Sequence, residues 1–188
     1  MTLIFYYGTM NSGKTANLIM KKYNYESNGK KTLVFKPSID TRFGKEYISS
    51  RAIKTKIKAD FIIKKHTIIK GIDTDIKLIL VDEVQFLSES DVEMLRYISL
   101  KIPVHCYGLK TDFMGKLFEG SKRLIELADK LIDIESVCSI CENKSIINAK
   151  FNIDKHGNKI IIKKSKNNID IGSEDKYQSL CYKCWSNE

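Results

Sequence analysis

The chain has 188 residues, 43% hydrophobic and 29% charged, with only two prolines, which excludes a mainly disordered or collagen-like polypeptide and suits one folded domain with an appendage. Lys and Arg outnumber Asp and Glu by 32 to 23, a net charge of +9, but the arginines are only Arg42, Arg51, Arg96 and Arg123, so the excess reads as a lysine-rich compositional bias rather than a nucleic-acid surface. No apolar run reaches the ~18 residues of a membrane span, and the apolar start Leu3-Ile4-Phe5-Tyr6-Tyr7 lacks the basic flank and cleavage site of a signal peptide; the expectation is a cytoplasmic protein with no membrane or nucleic-acid partner.

Residues 2–7 form a short apolar run that ends at Gly8 and predicts a buried strand. Residues 13–27 are helix formers with Ala16, Ile19, Met20 and Tyr23 at helical spacing, and Asn28-Gly29 supplies a left-handed stop. Thr32-Leu33-Val34-Phe35 predicts the next strand, closed by Pro37, and Lys54, Lys56 and Lys58 alternate with Thr55 and Ile57 as on the wet face of a strand. Residues 76–82 are another apolar strand. Residues 88–99 start with Ser88 and Asp91 in an N-cap pattern and place Val92, Leu95 and Ile98 on one helix face. A strand is predicted over 102–107, a helix over 121–129 and a strand over 130–136. Strands that are apolar throughout, alternating with helices, indicate an α/β fold whose parallel sheet is covered on both faces. The pattern changes at about residue 137: strand-like 146–153, a turn at 155–159, strand-like 160–164 and a polar loop lie between two cysteine pairs. This predicts a domain over 1–136 and a small antiparallel unit over 137–188.

Gly8-Thr9-Met10-Asn11-Ser12-Gly13-Lys14-Thr15 matches G-x-x-x-x-G-K-[ST] in the required setting, after a strand and opening a helix. Such a loop turns its amides inward around phosphate oxygens, with the helix N-terminus adding its dipole. Lys14 is the candidate for the terminal phosphates, and the Thr15 hydroxyl for Mg²⁺. Leu78-Ile79-Leu80-Val81-Asp82 offers a carboxylate at a strand end for the same metal ion. Glu83 follows at once; with alternation along an extended segment it would face a second substrate as proton acceptor. A water-activating Glu of an ATPase and a solvated acid are the other readings of that position. Phe86, Phe113, Phe118 and Tyr177 lie near predicted strand ends and loops, where rings suit the wall of a flat-base pocket.

Four of the five cysteines form Cys138-x-x-Cys141 and Cys181-x-x-Cys184, separated by 39 residues, and only Cys106 is left, inside an apolar stretch. Two such knuckles predict a closed, structural Cys₄ zinc site and one buried thiol rather than disulfides. His156 between them reads as an exposed turn residue. From the residues alone, a P-loop ATPase whose zinc unit binds nucleic acid, and a zinc-stabilised binding module, stand beside an enzyme that passes phosphate to a second substrate.

The phosphate loop, Asp40-Thr41-Arg42, Asp82-Glu83-Val84-Gln85-Phe86, Gly108-Leu109-Lys110-Thr111-Asp112-Phe113 and the two knuckles flanking Asp175-Lys176-Tyr177 together resemble the type II, zinc-containing thymidine kinases, over residues 2–185. The resemblance implies a P-loop NTPase-type fold and transfer of the ATP γ-phosphate to the 5′-hydroxyl of thymidine, with Mg²⁺. It implies Glu83 as general base, Arg42 and Lys14 beside the reacting oxygens, and residues 8–15 with Asp82, Glu83 and Gln85 at the nucleotide. It implies Met10, Asp40, Phe86, Leu109, Phe113, Phe118 and Tyr177 around the nucleoside. Ile169, Asp170, Ile171 and Gly172 would belong to a closing loop, about 165–178, whose backbone reads the base. A homotetramer and feedback inhibition by thymidine triphosphate are further family expectations.

Overall fold

The computed structural model describes residues 1–64, 67–69, 71–164 and 176–186. The chain runs β1 (Leu3–Tyr7), α1 (Lys14–Glu26), β2 (Lys31–Pro37), β3 (Tyr47–Ser50), β4 (Thr55–Lys58), β5 (Phe61–Ile63), β6 (Ile76–Val81), a 3₁₀ turn (Val84–Phe86), α2 (Glu89–Ser99), β7 (Val104–Gly108), α3 (Glu119–Leu127) and β8 (Lys130–Asp133). Five parallel pairings build one sheet in the order β5-β2-β6-β7-β1-β8. Parallel pairing brings the carboxyl ends of β1, β2, β6 and β7 to one edge, so the loops that follow them meet there.

Alternation along each strand divides the core between the two faces. From β1, Leu3 and Phe5 join Ile79, Val81, Val92, Leu95 and Leu124 on the side of α2 and α3, while Ile4 and Tyr6 join Leu78, Leu80, Leu18 and Ile19 on the side of α1. Helix α2 starts as its sequence predicts, with Ser88 and Asp91 forming a reciprocal capping box. Helix α1 differs from the predicted stripe. It buries Leu18 and Ile19, whereas Met20 and Tyr23 are 49% and 64% exposed. The contact face is rotated by one residue, about 100°, because the helix is aimed by the loop before it. The β3–β4 hairpin and β5 complete the list. Of these, only the alternation in β4 is visible in the sequence.

The C-terminal unit is a three-stranded antiparallel sheet, β10 (Lys159–Ile162), β9 (Ile147–Ile153) and β11 (Tyr177–Leu180), followed by the short α4 (Tyr182–Ser186). Among the described residues its buried cluster is Cys138, Ala149, Leu180 and Cys181, with Ile161 and Trp185 against it. So small an apolar core needs a staple to stay ordered.

Candidate active site

The phosphate loop joins β1 to α1. Asn11 and Gly13 adopt positive φ, 62° and 85°, the conformation that turns successive amides into one concavity. Gly8 is required by space: a Cβ there would lie 2.5 Å from the Ile134 carbonyl and 2.6 Å from Ser12 Oγ. Lys14 Nζ donates to the Thr9 carbonyl at 2.6 Å and to Ser12 Oγ at 3.4 Å. The lysine of the loop is thus held inside it, 9% exposed.

Asp82 follows β6 directly and is 3% exposed. Thr15 Oγ1 donates to Asp82 Oδ2 at 3.2 Å, which brings together the hydroxyl and carboxylate predicted to hold one cation. Burial first, then the neighbouring Glu83 carboxylate, push the Asp82 carboxyl up to about 7. The folded state therefore favours the protonated acid, a contribution complete below the ordinary value near 4 and lost as pH rises through about 7. Without nucleotide or divalent cation, wild type is expected to lose more thermal stability between pH 5 and pH 8 than Asp82→Asn, by on the order of 3 kcal/mol. Parallel melting curves at the two pH values, equal in their pH dependence, would contradict this.

Glu83 does not continue the strand; its φ of 52° and ψ of 39° are left-handed. The divergence of Asp82 and Glu83 comes from this turn of the backbone, not from the strand alternation predicted. Both Glu83 oxygens are held. Arg42 lies 2.6 Å from Oε1, and Gln85 Nε2 donates to Oε2 at 2.6 Å. Gln85 Oε1 in turn accepts from the Leu109 amide at 3.0 Å. Gly108 leaves the room for this, since a Cβ there would come within 2.6 Å of Gln85 Oε1. Arg42 Nε donates to Asp40 Oδ1 at 2.8 Å, and Lys36 Nζ, fully buried, stands 3.2 Å from Asp40 Oδ2. Burial alone would raise Asp40; the hydrogen bond from Arg42 and the two positive charges outweigh it and hold the carboxyl below the usual range. Burial likewise opposes the Arg42 charge, but Glu83 and Asp40 raise its proton affinity further. Lys36, Asp40, Arg42 and Glu83 thus alternate in sign toward the cleft.

That cleft has a volume of about 440 Å³ and is lined by Lys14, Thr15, Asp82, Glu83, Asp40 and Arg42. Met10, Phe86, Leu109, Phe113, Phe118 and Tyr177 line it too. Phe86 and Phe118 meet edge to face at 6.3 Å, and the Lys150 ammonium lies 5.5 Å from the Phe113 ring and 5.9 Å from the Tyr177 ring. Of the predicted site residues, Asn11, Gly13 and Gln85 also line the cleft, whereas Gly8, Thr9 and Ser12 stand behind its lining. Ile169, Asp170, Ile171 and Gly172 lie outside the described residues. Sequence reasoning missed Asn148, Arg51, Phe43 and the hairpin segment 48–52, all of which line the cleft. Asn148 carried no signal, being one of three polar residues that alternate with apolar ones along β9; Arg51 did, as one of four arginines in a lysine-rich chain, and it donates to Asn11 Oδ1 at 2.9 Å.

Cys138, Cys141, Cys181 and Cys184 place their sulfurs all within 4.8 Å of one another, and Cys141 Sγ is 3.6 Å from both Cys181 and Cys184 Sγ. A tetrahedron with zinc–sulfur bonds of 2.3 Å has an edge of about 3.8 Å. All five cysteines are free thiols, and Cys106 is buried. Burial opposes ionisation of Cys138, but backbone amides of Cys181, Ile140 and Cys141 bring it down to about 6. Hydrogen bonding to Cys141, then burial, push Cys184 up to about 12. Four crowded sulfurs of this kind need a cation to ionise together, and the donor set fits zinc. His156 is exposed in its turn.

A phosphate loop at the carboxyl edge of a parallel sheet, facing a carboxylate pair and a ring-lined cavity, defines a P-loop nucleotide-binding protein of the α/β class with an appended cysteine centre. The thymidine kinase family model matches residues 1–185, and the chain belongs to that family. Thymidine kinase from Enterobacteria phage T4 is 42% identical over 192 residues, covering 98% of this chain and 95% of the relative. Thymidine kinase from Vibrio cholerae is 40% identical, with 95% and 93% covered. That from Shewanella oneidensis is 38% identical, with 96% and 94% covered.

Proposed function

We propose that the chain is an ATP-dependent thymidine kinase of nucleotide salvage. It moves the γ-phosphoryl group of ATP to the 5′-oxygen of thymidine, giving thymidine monophosphate and ADP. The observation that carries the reading is one cleft lined both by phosphate-loop residues and by aromatic rings, with the Glu83 carboxylate held in its wall by Arg42 and Gln85. In this reading the amides of the 8–15 loop, other than that of Met10, which Asn148 holds, bind the ATP phosphates, and Lys14 leaves the Thr9 carbonyl to reach their terminal oxygens. Arg42 adds positive charge beside the transferring group, where this chemistry relies on charge neutralisation. Glu83 accepts the proton that the 5′-hydroxyl loses as its oxygen bonds phosphorus. Gln85 and Arg42 fix the carboxylate's direction. Thr15 and Asp82 would hold Mg²⁺, which when bound neutralises phosphate charge. Met10, Phe86, Leu109, Phe113, Phe118 and Tyr177 enclose the base, and Ile169, Asp170, Ile171 and Gly172 belong to the substrate-binding residues of this reading.

A homotetramer, cytoplasmic and inhibited by thymidine triphosphate, completes the proposal; its support is family membership. Incubation of radiolabelled nucleosides with ATP and Mg²⁺ tests it. Thymidine should be converted to its monophosphate, with turnover suppressed by thymidine triphosphate. ATP hydrolysis stimulated by DNA or RNA, with no nucleoside phosphorylated, would overturn it in favour of a nucleic-acid-dependent ATPase.

A further inference from the structure

The phosphate loop is fastened at two consecutive residues to the C-terminal unit and to Ser136, the residue that leads into it. Thr9 Oγ1 lies 2.6 Å from Ser136 Oγ and 2.8 Å from Ser145 Oγ, and those two hydroxyls are 2.6 Å apart. The Met10 amide donates to Asn148 Oδ1 at 2.6 Å, and the Met10 carbonyl accepts from Ser179 Oγ at 2.9 Å. Thr9 and Ser145 are each 5% exposed and Asn148 4%, so the Thr9–Ser145 bond is buried and the others are shielded on one side, where an orphaned partner is expensive. The contacts span 127 to 169 residues of sequence. They are tertiary and not part of the β1–α1 turn itself.

The anchors are also the feet of the two cysteine knuckles. The Ser145 amide donates to the Ser136 carbonyl at 2.8 Å, closing the loop that carries Cys138 and Cys141. The Ser139 amide donates to the Ser179 carbonyl at 2.9 Å, joining that loop to the strand that leads into Cys181. On the other side, the carbonyl of Thr9 is the acceptor that holds Lys14 Nζ. A phosphate nest works only while its amides point inward and its carbonyls are held elsewhere. Here Met10 has both backbone groups held by β9 and β11, and the Thr9 side chain is held by hydroxyls at the knuckle base.

We infer that Ser136, Ser145, Asn148 and Ser179 are positioning residues, through which the C-terminal unit sets the geometry of the phosphate loop and hence the affinity for nucleotide phosphates. Ser136, Ser145 and Ser179 do not line the cleft; they act through Thr9 and Met10. The inference rests on the reading of ATP as phosphate donor.

The test is equilibrium binding of ATP with Mg²⁺, and separately of thymidine, to wild type, Thr9→Val, Thr9→Ser, Ser145→Ala and Ser179→Ala, with melting curves of each. Thr9→Val and Ser145→Ala are expected to weaken ATP binding by about tenfold while thymidine binding stays within about twofold. Thr9→Ser keeps the hydroxyl and should stay within about twofold of wild type, and Ser179→Ala, which loses one bond, should weaken ATP by about threefold. A merely structural role would lower melting temperature without separating the two ligands. Folded variants with unchanged ATP affinity would overturn the inference while leaving the functional reading intact. If Thr9→Val fails to fold, unchanged ATP affinity in Ser179→Ala does the same. A wild-type chain that binds thymidine but no ATP overturns the functional reading and this inference together.

Discussion

Glu83→Gln is expected to lower kcat by about 10²–10⁴ while thymidine affinity stays within about threefold. The substitution keeps the shape of the side chain and leaves the Thr15–Asp82 pair untouched, but an amide cannot take the hydroxyl proton. Its effect on the fold is predictable. Glu83 now accepts from Arg42 on one oxygen and from Gln85 on the other, and the new NH₂ must displace one of them, a loss of about 1–3 kcal/mol. Arg42 keeps its bond to Asp40 at 2.8 Å, so the arm that carries it stays in place. Melting curves and thymidine titrations run beside the kinetics separate the two effects. Loss of rate with thymidine binding retained is the expected result. Unchanged turnover would remove Glu83 as the base.

Cys138→Ser is expected to take the protein from about one zinc per chain to almost none, and to disorder β9, β10 and β11 while the parallel sheet stays folded. The reason is the small apolar core among the described residues: four buried residues with Ile161 and Trp185 packed on them, beside Ile147 and Phe151 of β9, are little to hold a three-stranded sheet without a staple. Zinc binding, worth ~10–16 kcal/mol in small finger domains, is the term that can. Hydrogen exchange reads the outcome element by element. Amides of β9 and β11 should exchange at nearly unfolded rates in the variant, and those of β1, β6 and β7 should remain protected. A metal-free protein with β9 and β11 as protected as in the zinc-loaded form would contradict the account.

The parallel sheet was legible because its strands are buried on both faces and read as unbroken apolar runs; Leu78-Ile79-Leu80-Val81 could be little else. The phosphate loop and the capping box at Ser88 were legible because each is local, made by residues within one turn of chain. The cysteine centre was legible because its chemistry needs four sulfurs whatever lies between them. What could not be read is tertiary in origin. Of the α1 stripe, Ile19 is buried as its spacing predicts, but Met20 and Tyr23 satisfy the periodicity as well as Leu18 does, and only the loop before the helix decides which face meets the sheet. Strand β3 buries only Ile48 and Ser50 in four residues, too short a pattern to declare itself, whereas the alternation of its partner β4 is readable from the lysines. The left-handed turn at Glu83 has no glycine to announce it. Asn148 faces the cleft from a strand 138 residues after Met10, a juxtaposition no local pattern encodes.

The central claim is that a carboxylate stands ready for a sugar hydroxyl directly across from the phosphate loop. A crystal structure with thymidine and a non-hydrolysable ATP analogue measures it. The account predicts a Glu83 carboxylate oxygen at about 2.6–3.2 Å from the 5′-oxygen, with that oxygen facing the terminal phosphorus. A nucleoside seated among the rings with its 5′-oxygen turned away from Glu83, beyond the reach of even one bridging water, would contradict it.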